Sequence, residues 1–326
     1  MLKFAAAVLA VVIVSVTAAA QAPTLQITQP DGPNLPSELW YGNVKVKPLR
    51  FRPGTNTPIT IDDSDFFVTQ HYIDFLSRFP DSGGLDYWAN QQINTLCAGN
   101  ANCVYNRRAA VSASFFFSTE FQETGYYVYR LYAGTFGRQP SFAQFKADRV
   151  QIDPSAANIE ASKNAFANAW VQRPDFLTKY PNNLSNDQFV NAILQTMLNS
   201  TDIAGNNVGY DLTSQASTYI AQLNACGGTC KGAVVRNIID QGSVVDHTGF
   251  QGKEFNPAFV LMGYFGYFRR GADINGYNFW LNNINTVLNG DTLAYQKMVC
   301  VFTTSPEYQF RFSSTVTQQD HCSTVQ

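Results

Sequence analysis

The chain has 326 residues, and its 22 basic and 24 acidic side chains give a formal net charge of −2 at pH 7. A nucleic-acid-binding protein usually carries a patch of basic residues, and this sequence has none. We therefore expect no nucleic-acid partner. Aromatic residues make up 14% of the chain and recur mostly at helical spacing. We expect them to fill a core between helices rather than to form a sugar-stacking platform.

Residues 1–20 have the pattern of a secretory signal peptide. Lys3 precedes an apolar run from Phe4 to Val16, and small residues lead to a cleavage site after Ala20. The run is short for a membrane span, and no later stretch is apolar enough to cross a bilayer. We therefore expect a protein that is secreted, or retained at the cell surface or in the periplasm, with no membrane span after signal removal.

Residues 21–62 differ in composition from the rest of the chain. Pro, Gly, Asn and Thr interrupt short alternating runs, which predicts an extended arm or a small β element. The sequence IDDSD at 61–65 then predicts the start of the first helix, with Asp63 or Ser64 as its cap.

The strongest pattern in the sequence is a duplication. Residues 67–88 align without gaps on residues 259–280 at a constant offset of 192. The identical pairs are Phe67 and Phe259, Val68 and Val260, Tyr72 and Tyr264, Arg78 and Arg270, Asp81 and Asp273, Gly84 and Gly276, and Trp88 and Trp280. Apolar residues on a 3.6-residue period predict a helix in each copy.

The helix of the first copy is predicted to end at Pro80, and that of the second at Gly271. Asp81 and Asp273 are expected to cap a second helix, which presents its Trp to the first one. Each copy is therefore predicted to be a helix-turn-helix unit.

A second shared motif follows each copy. It contains Ser118 and Glu120 after the first copy, and Ser305 and Glu307 after the second. The serines are predicted N-caps, with the glutamates in the first turn of the next helix. The first unit then covers about 65–122 and the last about 257–310.

Weaker copies lie between these units. An offset of 60 places Tyr132, Arg138 and Pro140 on Tyr72, Arg78 and Pro80, and a further unit is predicted to start at Phe189. The predicted fold class is all-α: an array of short helices in three to four repeated helix-turn-helix units. This helical repeat domain, 63–312, follows the arm and precedes a polar tail, 313–326.

These motifs resemble the bacterial family known as domain of unknown function 4214. The first copy carries Tyr72, Leu76 and Arg78, then DSGGLDYW at 81–88 and FFSTEF at 116–121. The second carries DINGYNFW at 273–280 and FTTSPEY at 302–308, with Phe268 in place of Leu76. The resemblance implies a helical module of secreted or surface-associated bacterial proteins with no established activity and no catalytic residues to transfer. The middle copies depart from the pattern.

The six cysteines form three sequence-local pairs. An even count, an export signal and short Gly- or Asn-rich loops favour disulfides within these pairs over a metal site. The predicted disulfides are Cys97 with Cys103, Cys226 with Cys230, and Cys300 with Cys322.

Two chemical alternatives remain open. Paired acids, Asp62 with Asp63 or Asp81 with Asp86, could serve an enzyme that acts on extracellular polysaccharide. The two turns also space oxygen-bearing side chains around a glycine, as calcium loops do, which suggests calcium-dependent adhesion. The candidate calcium ligands are Asp81, Asp86, Asp273, Asn275 and Asn278.

Helix capping accounts for the acidic residues as well, and no nucleophile, P-loop or dinucleotide motif is present. The histidines, His71, His247 and His321, are scattered. We therefore predict a non-enzymatic interaction or scaffolding module without a cofactor, and calcium binding is the alternative. The expected partner is a cell-surface glycan or an envelope protein.

Overall fold

The computed structural model describes residues 60–312 except 156 and 288–291, residues 316–318 and 322, and the backbone of five short strands. The predicted signal peptide, 1–20, lies outside the described residues, as does most of the predicted tail, 313–326.

The strands lie within the region predicted as an arm. In one compact unit, β1 (Leu25–Thr28), β2 (Glu38–Tyr41) and β3 (Val44–Lys45) form an antiparallel sheet in that order. In the other unit, β4 (Arg50–Phe51) pairs antiparallel with β5 (Pro58–Ile59), and this second unit contains the helices.

The second unit is all-α beyond β5, as predicted. Its α-helices are α1 (Ser64–Leu76), α2 (Ser82–Leu85), α3 (Ala101–Phe117), α4 (Thr119–Glu123), α5 (Gly125–Leu131), α6 (Phe142–Arg149), α7 (Ile159–Trp170), α8 (Pro174–Lys179), α9 (Asn186–Leu198), α10 (Ala216–Ala225), α11 (Lys231–Ile239), α12 (Gly249–Gly263), α13 (Ile274–Val287), α14 (Thr292–Thr304) and α15 (Pro306–Gln309). Three π-helical segments, Asp86–Thr95, Tyr132–Phe136 and Tyr264–Phe268, and one 3₁₀ turn, Thr213–Gln215, connect some of them.

The first helical segment of each copy ends before the residue at which the sequence predicts its end, Pro80 in the first copy and Gly271 in the second. Helix α1 ends at Ser77, which has a left-handed backbone with φ of 57°. Arg269, at the equivalent position, has φ of 58° and ends the π-helical segment that follows α12. A left-handed residue closes a helix because its backbone leaves the helical path, although it strains a residue with a Cβ atom. Gly137, 60 positions after Ser77, adopts the same conformation with φ of 68°.

Aromatic side chains fill the core, as their spacing predicts. Among the twelve largest fully buried side chains of the described residues, all except Arg130 are aromatic. Helices α3 and α14 pack against each other, so the two clear copies meet in the core. The rings of Phe75 and Tyr267, which occupy equivalent positions, lie 4.9 Å apart at an edge-to-face angle of 67°.

The three predicted disulfides are present. Cys97 pairs with Cys103, Cys226 with Cys230, and Cys300 with Cys322. None of the helices in the described part of the chain is both long and apolar enough to cross a membrane.

Candidate functional site: the duplicated turn

In the first copy, four side chains and one glycine contact one another at the turn. Asp81 caps α2, its Oδ1 accepting a hydrogen bond of 2.8 Å from the amide of Gly84. The hydroxyl of Tyr72 lies against the Cα of the same glycine. The guanidinium of Arg78 lies over the Tyr72 ring at 4.8 Å and donates from Nε and Nη2 to both carboxylate oxygens of Glu120, each at 2.6 Å. The turn is thus fixed by a cap, a close packing contact and a bidentate ion pair.

The last copy has the same arrangement. Asp273 accepts from the amide of Gly276 at 2.8 Å, and Arg270 lies over the Tyr264 ring at 5.3 Å. Arg270 donates to the two carboxylate oxygens of Glu307 at 2.6 and 2.9 Å. The tyrosine, arginine, aspartate, glycine and glutamate of the turn therefore make the same contacts in both copies.

The glutamates are positioned by the capping serines that the sequence predicts. Ser118 Oγ accepts from the amide of Phe121 at 3.2 Å, and Ser305 Oγ accepts from that of Tyr308 at 3.2 Å. These caps start α4 and α15, so the glutamate two residues later faces the arginine.

The middle segment keeps only part of this arrangement. Arg138 lies over the Tyr132 ring at 5.3 Å, but its Nη1 donates to Gln144 rather than to a glutamate. The hydroxyl of Tyr132 donates to Asp148 at 2.7 Å instead of packing against a glycine. Helix α9 begins three residues before the predicted start at Phe189 and ends at Asn199 with φ of −99°, without a left-handed residue.

The electrostatics of the turn follow from these contacts. The hydrogen bond to Glu120 raises the pKa of Arg78, and the equivalent bond to Glu307 raises the pKa of Arg270. The amide of Gly84 lowers the pKa of Asp81 because it donates to the ionised carboxylate. These contacts therefore favour the charged forms of Arg78, Arg270 and Asp81.

The outward face of each turn is aromatic, which the sequence reasoning missed. Tyr87 is 43% exposed and Phe279 is 58% exposed. Each packs edge to face against the half-buried tryptophan that follows it, with ring centroids 4.8 Å apart at Trp88 and 5.1 Å apart at Trp280. The sequence does contain a signal for these exposed rings, because two consecutive aromatic residues occur at the same position of both copies. We call Tyr87 with Trp88, and Phe279 with Trp280, the aromatic pairs.

The predicted calcium ligands make other contacts. Asp81 and Asp273 cap helices, and Asp86 accepts hydrogen bonds of 2.9 Å from the side chains of Asn90 and Gln91. The side-chain oxygen of Asn278 accepts from Asn206 at 3.1 Å, and Asn275 is exposed. In the described part of the chain, no cluster of three or more His, Cys, Asp or Glu residues could hold a metal ion.

A serine and a histidine do form a hydrogen-bonded pair, but inside the core. His71 Nδ1 donates to the carbonyl of Phe67, His71 Nε2 bonds with Ser112 Oγ, and Ser112 Oγ bonds with the hydroxyl of Tyr267. Burial lowers the pKa of His71 to about 4, so the imidazole is neutral at pH 7. Its Nε2 then accepts from Ser112, which in turn accepts from Tyr267. Because all three side chains are buried, the pair has no access to substrate and links the two clear copies structurally.

The alternative catalytic acids lie in two places. Asp62 and Asp63 line an open cleft of about 450 Å³ near the start of α1. There Asp62 accepts a hydrogen bond of 2.7 Å from the Gln318 side chain. Asp63 occupies the N-cap position, as predicted, but its side chain accepts from the amide of Thr60 rather than from the first turn.

Asp81 and Asp86, the other acid pair, have separate hydrogen-bond partners at the turn.

No family model, curated protein or solved structure matches the chain. The resemblance to the family of domain of unknown function 4214 therefore stays a prediction from the quoted motifs.

Proposed function

We propose that this protein is an exported, non-enzymatic interaction module that binds its partner through the two aromatic pairs. The observation that carries the proposal is the exposure of Tyr87 and Phe279 at the same position of both copies. An isolated exposed aromatic residue needs no explanation, but the same one at two equivalent turns supports a shared role.

The rest of each turn supports this role by holding the aromatic pair still. Trp88 packs on Phe115, and Trp280 packs on Phe302, in each case with 5.8 Å between ring centroids. The ring in front of the tryptophan is therefore backed by the core rather than by a mobile loop. A rigid aromatic surface loses little conformational entropy on binding, which is why Tyr and Trp are frequent at interfaces.

The proposed partner is a cell-surface glycan, with an envelope protein as the alternative. An exposed aromatic ring can pack against the apolar face of a sugar. A polar residue also precedes each ring in sequence, the exposed Asp86 before Tyr87 and the partly exposed Asn278 before Phe279. Three disulfides support export to an oxidising compartment, where such a partner would be met.

The proposal is tested by sedimentation of the mature protein with purified, insoluble cell-wall glycan. We expect the protein to sediment with the glycan and the variant Tyr87→Ser with Phe279→Ser to remain in the supernatant. Val245→Ser is the matched control, because Val245 is 77% exposed and lies outside both turns. Equal sedimentation of the double variant and the parent protein would contradict the proposal.

A polysaccharide-acting enzyme is the second candidate, and the carboxylates at the cleft favour it. Three acids, Asp62, Asp63 and Asp65, line this cleft. Release of new reducing ends from the same glycan, lost in Asp62→Asn, would establish the enzyme. Our proposal predicts binding without release.

A further inference from the structure

The cleft beside α1 is built differently from the aromatic pairs. It opens between the start of α1, the π-helical segment Asp86–Thr95 and α3, and its volume of about 450 Å³ is in the range of small-ligand sites. Its apolar lining comes from Leu85, Ala89 and Val104, and its charged lining comes from Asp62, Asp63 and Asp65.

In the last copy, the positions equivalent to Asp62 and Leu85 of the cleft are buried by other parts of the protein. At the offset of 192, Asp62 corresponds to Glu254 and Leu85 to Tyr277. Glu254 and Tyr277 are completely buried, and Tyr129 of α5 donates to Glu254 at 2.9 Å. A helix of the middle segment thus covers this position in the last copy, whereas the cleft at Asp62 is open.

An equivalent hydrogen bond is present beside this position in the first copy and in the last copy. Ser64 Oγ donates to Asn94 at 2.8 Å in the first copy, and Asn256 donates to Asn285 at 2.9 Å in the last. The offsets of these two pairs are 192 and 191, so the first copy has one extra residue before Asn94. The π-helical segment accommodates this residue, and such segments are frequent at functional sites.

The side chains on the cleft wall are already ordered by one another. Asn94 donates to Asn90 at 3.3 Å, and Asn90 donates to Asp86 at 2.9 Å, which forms a ladder along one face of the π-helical segment. A ligand would therefore meet a preorganised wall, which lowers the entropy cost of binding.

The lining indicates the chemistry of that ligand. Among the described residues that line the cleft, none is basic and three are carboxylates. The nearby Arg108 is buried and donates to the main-chain carbonyls of Ile61 and Asp62 rather than to these carboxylates. Helix capping explains acids beside a helix start, but it does not explain why Leu85 and Val104 form an apolar lining in the same cleft as these acids and the Asn ladder. Such a site fits a compact ligand with one apolar face, several hydroxyl groups and a positive charge.

We propose that this cleft binds an amino sugar, a sugar ring that carries a free protonated amine. The amine donates to the carboxylates, the hydroxyl groups bond with Asn90 and Asn94, and the apolar ring face packs on Leu85 and Val104. This site shares no residue with the aromatic pairs, so it stands or fails independently of the proposed function.

The test is a titration of the full mature protein with three probes, followed by calorimetry or by amide chemical shifts. Glucosamine is expected to bind, whereas glucose and N-acetylglucosamine, which lack the charge, are expected to bind at least about tenfold more weakly. Added salt is expected to weaken glucosamine binding because it screens the ion pair.

Two variants place the ligand in the cleft. Asp65→Asn is expected to weaken glucosamine binding about fivefold, since a partly exposed ion pair contributes up to about 1 kcal/mol. Leu85→Tyr introduces the residue found in the last copy and is expected to abolish binding by filling the cleft. Asp187→Asn, at an exposed acid in the first turn of α9, is the matched control and should leave binding unchanged.

The proposal is overturned if glucosamine does not bind at millimolar concentration, or if the uncharged sugars bind as tightly. It is also overturned if Asp65→Asn and Asp187→Asn have equal effects, because the charge of the cleft would then play no part. If Leu85→Tyr fails to fold, the Asp65→Asn comparison still decides the outcome.

Discussion

The hydroxyl group of Tyr72 lies directly against the Cα of Gly84, and the hydroxyl of Tyr264 lies in the same way against Gly276. A Cβ atom at either glycine would overlap the hydroxyl oxygen. The glycine is therefore required by the close approach of a side chain from the preceding helix. This contact packs the turn of each copy against the helical segment that precedes it.

The first prediction concerns this contact. Gly84→Ala is expected to lower the free energy of unfolding by about 1–3 kcal/mol, the usual cost of overpacking, measured by urea denaturation. Gly83→Ala is the matched control in the same short helix, since a Cβ atom there would have its nearest neighbour, Asp81 Oδ1, at 3.4 Å. Alanine at Gly83 should be neutral or stabilise by up to about 1 kcal/mol through helix propensity.

A second variant separates the clash from other effects. Tyr72→Phe removes the hydroxyl oxygen, so Gly84→Ala should cost less in the Tyr72→Phe protein than in the parent. If Gly84→Ala is as harmless as Gly83→Ala, the close contact does not determine the glycine.

The two arginine–glutamate pairs should differ in strength. Arg78 and Glu120 are 25% and 19% exposed, whereas Arg270 and Glu307 are 42% and 46% exposed. Double-mutant cycles with alanine should give a coupling energy of about 1–2 kcal/mol for the first pair and less than about 1 kcal/mol for the second. A larger coupling for the more exposed pair would contradict the contribution of burial.

Glu254 should make stability depend on pH. Its side chain is completely buried, its Oε1 has no hydrogen-bond partner among the described residues, and Tyr129 donates to its Oε2. Burial raises the pKa of Glu254 from 4.5 to about 8, although the hydrogen bond from Tyr129 and the charge of Lys253 lower it. The folded state therefore holds a proton that the unfolded state releases.

The stability contributed by the neutral Glu254 is full below pH 4.5 and is lost as the pH rises to about 8. Urea denaturation of the parent and of Glu254→Gln should show a stability difference that shifts in favour of the glutamine variant across this range. A difference that stays constant with pH would show that Glu254 does not titrate abnormally.

Asp81 offers a test between helix capping and calcium binding. Asp81→Ala removes the acceptor of the Gly84 amide and should cost about 1 kcal/mol of stability. Capping predicts the same cost with calcium and with excess chelator, measured by thermal unfolding. A calcium-dependent rise in the melting temperature that is lost in Asp81→Ala would instead support the predicted metal site.

The features predicted correctly from sequence are mostly local. Asp81, Asp273, Ser118 and Ser305 cap helices, as their position before a helical pattern indicates, because a cap needs only residues three positions away. The helix ends were harder to predict. Ser77 and Arg269 take a left-handed backbone that their residue types do not favour, and packing around them overrides that preference.

The features that the sequence did not reveal depend on contacts distant in the chain. Tyr129 and Glu254 are 125 residues apart, and His71 reaches Tyr267 through Ser112. The cleft at Asp62 is recognised by comparing it with the equivalent position in the last copy, where Glu254 is buried. Exposure of Tyr87 could not be separated from core packing because aromatic residues at helical spacing usually face the core.

The central claim is that the two aromatic pairs are equivalent binding surfaces. The most direct measurement is the affinity of Tyr87→Ser, Phe279→Ser and the double variant for the same cell-wall glycan. Linked sites reinforce each other, so each single variant should lose more than half of the binding and the double variant should lose nearly all of it. Full binding by the double variant, with unchanged thermal stability, would contradict the account.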